Sequence, residues 1–275
     1  MRLMLAAAMA LLLFRSEMAM GAVRDSCRLF VTAVMPGLLP YMVLSSMLVS
    51  RCRSLSPGLL VLLGWCGGSP TGARLAALSG LTGREHRFVC VAAATMSPMF
   101  LLGTCGGWLG SARAGWVLLI SVLAGGAAAG AMAAGGMRGA SGGGEAPAAQ
   151  APLTLGAAVE QTARTLLTVC GTMAVWRVLA AFAAEWLPGM ALPLSALLEV
   201  TCGVRQLSQQ PLPLAWRTAL IAGVTGAGGM AILTQNRAAA GAQAMPLGRQ
   251  ILWQAVHGGL SFLLALGLMT LLGES

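Results

Sequence analysis

The stretch Leu63–Gly103 reads LGWCGGSPTGARLAALSGLTGREHRFVCVAAATMSPMFLLG, and its reading decides the fold. It is apolar on both flanks yet interrupted twice, at Gly67-Gly68-Ser69-Pro70 and at Thr95-Met96-Ser97-Pro98. A helix that only crosses a bilayer gains nothing from such interruptions. Each frees backbone N–H and C=O groups that hydrocarbon cannot solvate, so they belong where protein or a wet cavity surrounds them. The stretch therefore points to a polar site held at membrane depth.

Composition sets the class. The chain has 275 residues, 57% of them hydrophobic and 9% charged, with a mean hydropathy of +0.80. Soluble domains carry about 25% charged residues, so the sequence is that of an all-α polytopic membrane protein. The net charge is +9, and every basic residue is Arg. These arginines punctuate apolar runs, as loop anchors do, and do not gather beside aromatic stacking partners. The partner they imply is the lipid bilayer, with no nucleic acid. The seven cysteines form no CxxC and lie near no His cluster. They read as small buried hydrophobes, so no metal and no cofactor is expected. Walker and HExxH sequences are absent, which leaves no catalytic constellation to name.

Working outward, residues 1–20 are expected to form an uncleaved N-terminal anchor helix, since no convincing A-x-A cleavage site follows the apolar run Met1–Phe14. Residues 135–152 (GGMRGASGGGEAPAAQAP) read as a flexible linker that divides the chain nearly in half. The two sides then align. Ala22-Val23 matches Ala158-Val159, Arg28 matches Arg164, and Thr32 matches Thr168. Thr71-Gly72-Ala73-Arg74 matches Cys202-Gly203-Val204-Arg205, and Ala94-Thr95-Met96-Ser97-Pro98 matches Val224-Thr225-Gly226-Ala227-Gly228. Residues 21–134 and 153–273 are thus expected to be two repeats, each with three spans and a re-entrant broken hairpin. Three spans reverse the direction of the second copy, which predicts inverted topology, as in secondary transporters. Arg51, Arg53, Arg84, Arg87, Arg138, Arg237 and Arg249 fall on one side, predicted to be cytoplasmic.

The breaks nominate the site. Ser69, Thr71, Thr95, Ser97, Thr201 and Thr225 place hydroxyls where half-helix N-termini expose N–H groups and partial positive charge, suited to binding a polar or anionic group. The alternative is that they only cap the broken helices. Glu199 is a carboxylate at membrane depth, a functional candidate by default, or else a structural partner of Arg205 or Arg74. Those two arginines are repeat-related and stand either to contact an anionic solute or to snorkel. Gln235 and Asn236 end the second interrupted span and bring amides that both donate and accept. The expected hinges are Gly67, Gly68, Pro70, Gly72, Pro98, Gly203, Gly226, Gly228 and Gly229. His86, among charged neighbours, is expected to be solvated.

The segments LLPYMVLSSML, GWCGGSPTGAR, TMSPMFLLGT, LLEVTCGVRQLS and GAGGMAILTQ, in this order, resemble the YlbJ-type sporulation integral membrane proteins. That type belongs to the nucleoside-recognition, or Gate, domain group, with spore maturation proteins, the membrane part of the ferrous-iron transporter and concentrative nucleoside transporters. The resemblance runs from about Gly21 to Leu272. It implies a multi-pass protein of a bacterial inner or spore membrane with a role in sporulation. The leading expectation is a transporter-like protein that binds a small polar or anionic solute between two re-entrant hairpins. The competing one is a non-transporting scaffold, a homo-oligomer or a partner of a companion membrane subunit, in which Arg84 and Arg87 matter more than the breaks.

Overall fold

The computed structural model describes residues 2–52, 55–135 and 152–274. All but the two end residues of the expected linker, together with Arg53 and Arg138, lie outside the described residues. Every described element is helical. The first half comprises α1 (Arg2–Phe14), then α2 (Ser16–Leu29), which continues through a π-helical turn (Phe30–Val34) into α3 (Met35–Arg51). Two short helices follow, α4 (Pro57–Gly67) and α5 (Thr71–Leu78). Next come α6 (Gly83–Ala92), a π-helical segment (Phe100–Cys105) running into α7 (Gly106–Leu109), and α8 (Ala112–Gly135). The second half has α9 (Leu155–Trp186), two short helices α10 (Ala191–Leu198) and α11 (Val200–Ser208), then α12 (Leu214–Ala227), α13 (Gly229–Ala240) and α14 (Leu247–Leu271).

Local chemistry sets these ends. Ser56 caps α4 by accepting the Leu59 N–H at 3.3 Å, with Pro57 at the position where a missing N–H costs nothing. Thr154 caps α9 in the same way through the Ala157 N–H at 3.3 Å. The N-terminal helix ends at Phe14, with Arg15 between it and α2, so the boundary falls before residue 20.

Among the described residues, five helices are long and apolar enough to cross a membrane: Ser16–Arg51, Ala112–Gly135, Leu155–Trp186, Leu214–Gln243 and Leu247–Leu271. By length and composition this is a multi-pass integral membrane protein. The outer faces of α9 and α14 agree, since Leu167 is 72% exposed and Leu263 64%, and an apolar outer surface of this kind suits contact with lipid. The first half has one long span fewer than expected. Residues 93–97 are non-helical, so α6 and the piece that starts at Pro98 form no single helix.

The order of elements is the same in both halves: a long helix, two short ones, an interrupted one, a long one. The packing repeats as well. α2 and α3 lie on α9, and α8 lies on α14. α6 packs on α8 as α12 packs on α14, and α5 meets α13 as α11 meets α7 and its π-helical segment. Thr32 donates to the Arg28 carbonyl at 2.7 Å, and its aligned counterpart Thr168 donates to the Arg164 carbonyl at 3.1 Å. The main apolar core lies among α7, α8, α11, α12 and α14, around Leu118, Val204, Ile221 and Met269.

In each half the tip of the short-helix pair seats in the interruption that follows it. Gly68 has φ +66°, and a Cβ there would stand 2.7 Å from the Ser97 nitrogen. Ser69 donates its N–H to the Thr95 carbonyl at 2.7 Å, which joins the two breaks of the opening stretch. In the second half Gly229 has φ +61°, and a Cβ would stand 2.7 Å from the Leu197 carbonyl oxygen. Gly67 ends α4, Pro70 precedes α5, and Gly228 joins α12 to α13 in a left-handed turn.

Three expected hinges are not hinges. Gly72, Gly203 and Gly226 lie inside α5, α11 and α12, where added Cβ atoms would stand 2.3 Å from Ala93 Cβ, 2.3 Å from Ala196 Cα and 2.7 Å from Ser261 Oγ. These glycines let helices approach closely and do not break them. The break between α10 and α11 falls at Glu199, ahead of Thr201-Cys202-Gly203, because Glu199 takes an extended conformation and caps the next helix.

Gly68→Ala is expected to destabilise the fold by about 2–3 kcal/mol, through a strained positive φ and a backbone clash. Gly156→Ala, on an open helix surface of α9, is expected to raise stability by about 0.5–1 kcal/mol. Thermal midpoints of the two variants in detergent check the pair.

Candidate functional site

A cavity lies where the breaks of both halves meet. Among its lining residues are Ser69 and Ser97 from the first half, and Glu199, Thr201 and Gln235 from the second. Val34, Phe100 and Met173 supply part of its apolar wall. Half of the sequence-predicted binding residues are therefore brought together here. The cavity volume is about 30 Å³, room for about two waters in this conformation.

Glu199 is the chemical centre. It is 1% exposed, and among the described residues it is the only charged one lining the cavity. Its carboxylate accepts the Thr201 N–H at 3.1 Å and the Cys202 N–H at 2.8 Å. These are the first free donors of α11, so the helix end and the carboxylate stabilise one another. Hydrogen bonds to a charged group contribute about 1.5–3 kcal/mol each, enough to hold a carboxylate that would otherwise be costly to bury. No arginine pairs with it, which rules out the expected pairing with Arg205 or Arg74 among the described residues. A carboxylate has about four lone-pair sites and two are spent on the cap; the others remain for the cavity.

The other lining groups are partly committed. Ser97 Oγ accepts the Phe100 N–H at 3.3 Å and so caps the helix after the break. Ser69 Oγ is buried with no partner. Gln235 donates Nε2 to Thr172 Oγ1 at 3.0 Å, which ties α13 to α9 and leaves its carbonyl oxygen uncommitted.

The remaining predicted residues stand elsewhere. Arg205 is exposed on the outside of α11. Arg74, on α5, donates to Gln161 of α9 at 2.8 Å. Thr225 lies inside α12, where its hydroxyl returns to the Ile221 carbonyl at 2.7 Å, so it binds its own helix. Thr71 and Thr95 are buried with unpaired hydroxyls behind the first break and do not line the cavity. With Arg74 and Arg205 elsewhere, no cationic side chain among the described residues lines the cavity, and an anionic solute would rest on the helix N-termini alone. His86 is not solvated. It is buried on α6 with Cys90 Sγ 3.5 Å from its ring.

Arg84 and Arg87 also have a structural task. Their Nε atoms donate to the last carbonyls of α8, Ala134 at 3.0 Å and Ala133 at 3.3 Å. Sequence reasoning missed Thr172, which has no break beside it to mark it. It also missed Gln250, Gln254 and His257, although their i, i+4, i+7 spacing in an apolar helix is a readable polar stripe. Comparisons with protein families, with curated proteins and with solved structures find no match to this chain.

Replacing Glu199 by Ala leaves two buried N–H groups without an acceptor and is expected to cost about 2–4 kcal/mol. Glu199→Gln keeps an amide oxygen as a cap and is expected to cost less. Thermal denaturation should rank wild type above Gln and Gln above Ala; equal midpoints would show that the cap contributes nothing.

Proposed function

We propose that this chain is a transporter-like membrane protein whose two halves are inverted copies, with their short-helix pairs entering the membrane as re-entrant hairpins. The single observation that carries this reading is the convergence of Ser69, Ser97, Glu199, Thr201 and Gln235, from the breaks of both halves, on one cavity. The like packing of the halves supports the repeat. The resemblance to YlbJ-type proteins of the nucleoside-recognition group supports the same assignment and adds a role linked to sporulation.

The solute this site suits is small and polar, neutral or cationic. Glu199 supplies the only charge, the hydroxyls and the Gln235 carbonyl supply hydrogen-bonding groups, and no guanidinium lines the cavity. A cavity of about 30 Å³ corresponds to a closed form, and a larger solute requires the hairpins to part. The small cavity also favours a second reading, a scaffold or companion subunit that keeps the fold without moving solute.

Purified protein in liposomes separates the two. Uptake of labelled nucleosides, polyols, amino acids and sodium should reveal at least one transported solute. Glu199→Gln should lower its rate at least about tenfold, and Arg205→Gln should leave it unchanged. If none of these moves, and Glu199→Gln leaves sporulation of an endospore-forming host intact, the transport reading fails and the scaffold stands.

A further inference from the structure

A second cavity lies across α13 from the central one. Gln235 lines the first, and its neighbour Asn236 lines the second. α13 and the first half of α14 build most of it, and α5 and α6 complete it through Ala73, Cys90, Val91 and Ala94. Its volume is about 30 Å³, room for about two waters or one small ion.

The polar lining is Asn236, Arg237, Gln250, Gln254 and His257. Asn236 is 5% exposed, Gln250 8% and His257 1%. Asn236 Oδ1 has no hydrogen-bond partner. His257 spends Nε2–H on the Val122 carbonyl at 2.9 Å. Arg237 donates to the Met245 carbonyl at 2.7 Å and to Gln250 Oε1 at 3.5 Å, Gln250 Nε2 donates to the Leu233 carbonyl at 3.5 Å, and among the described residues no carboxylate lies within ion-pair distance of Arg237.

The aligned positions of the other half are filled quite differently. The registers that relate the halves carry Ala73 to Val204, and Cys90, Val91 and Ala94 to Leu220, Ile221 and Val224. Those residues belong to or pack on the main apolar core, with Leu118 and Val122 of α8. The architecture can therefore be filled by apolar packing at this place, and in one half it is. In the other half it holds amides, an imidazole and a half-buried guanidinium that has no carboxylate beside it among the described residues, polar groups that are costly to bury without partners.

We propose that this second cavity binds a small monovalent anion of halide or formate size, held by the Arg237 guanidinium and the amide N–H groups of Asn236 and Gln254. The only charged residue lining it is positive. A half-turn of the terminal amide of Asn236 exchanges its unpartnered oxygen for an NH₂ donor, and that torsion is broad and two-fold. A bound anion supplies the counter-charge that Arg237 lacks. A cation would instead sit against the guanidinium.

The test is the thermal midpoint of the detergent-solubilised full chain as chloride replaces gluconate at constant ionic strength and constant sodium. Wild type should gain roughly 3–6 °C with saturation, and bromide and formate should act likewise. Arg237→Gln should lose the gain. So should Gln254→Leu, a partly exposed position where the fold is preserved. Glu199→Gln should retain the gain, since the central site is separate, so this proposal and the transport reading fail by different results. No dependence on any of the three anions would overturn the proposal. So would full retention of the gain in Arg237→Gln, or a gain that follows the cation at fixed anion.

Discussion

Backbone polar groups cannot be left bare where there is no water, and the whole arrangement follows from how they are satisfied at the helix breaks. The Glu199 carboxylate takes the first N–H groups of α11. The Ser69 N–H goes to Thr95, and the Trp65 indole N–H takes the Ala92 carbonyl at the end of α6 at 2.7 Å. Each bond crosses from one interrupted element to another or closes a break on itself. The breaks must therefore lie against each other, and their mutual placement creates the central cavity.

That constraint also explains why the two halves look alike in packing and differ in chemistry. Both seat a short-helix pair in the next interruption, with Gly68 and Gly229 permitting the approach. Only the second half ends its first short helix in a carboxylate. Only its interrupted helix carries Gln235 toward one cavity and Asn236 toward the other. Where the first half contributes Phe100 and Leu101 to a dry core, the second spends the corresponding helix on amides and Arg237. A like order of elements in the two halves leaves each half free to carry different chemistry.

Much of this was legible in the chain. Hydropathy alone gives the membrane class, and Gly, Pro and hydroxyl clusters mark the breaks at 67–70 and 95–98, because backbone freed in an apolar run has few sequence solutions. Glu199 was legible as an outlier, a carboxylate in apolar surroundings. Its partner was not. A capping bond depends on a break lying two residues earlier than the Thr-Cys-Gly signal suggested. Arg74, Arg205 and Thr225 stand away from the cavity for a common reason: sequence places a residue near a break, but the helical phase decides whether its side chain faces the cavity, the lipid or its own backbone.

What the sequence determined by itself is the class, the repeated order of elements and the places where helices stop, since these depend on local composition and on periodicity along one chain. What only the tertiary structure decided is which polar groups share a space. Ser69 and Glu199 are 130 positions apart, and among the described residues no carboxylate lies within ion-pair distance of Arg237. Such facts rest on helix rotation and on contacts between distant elements, and no local pattern encodes them.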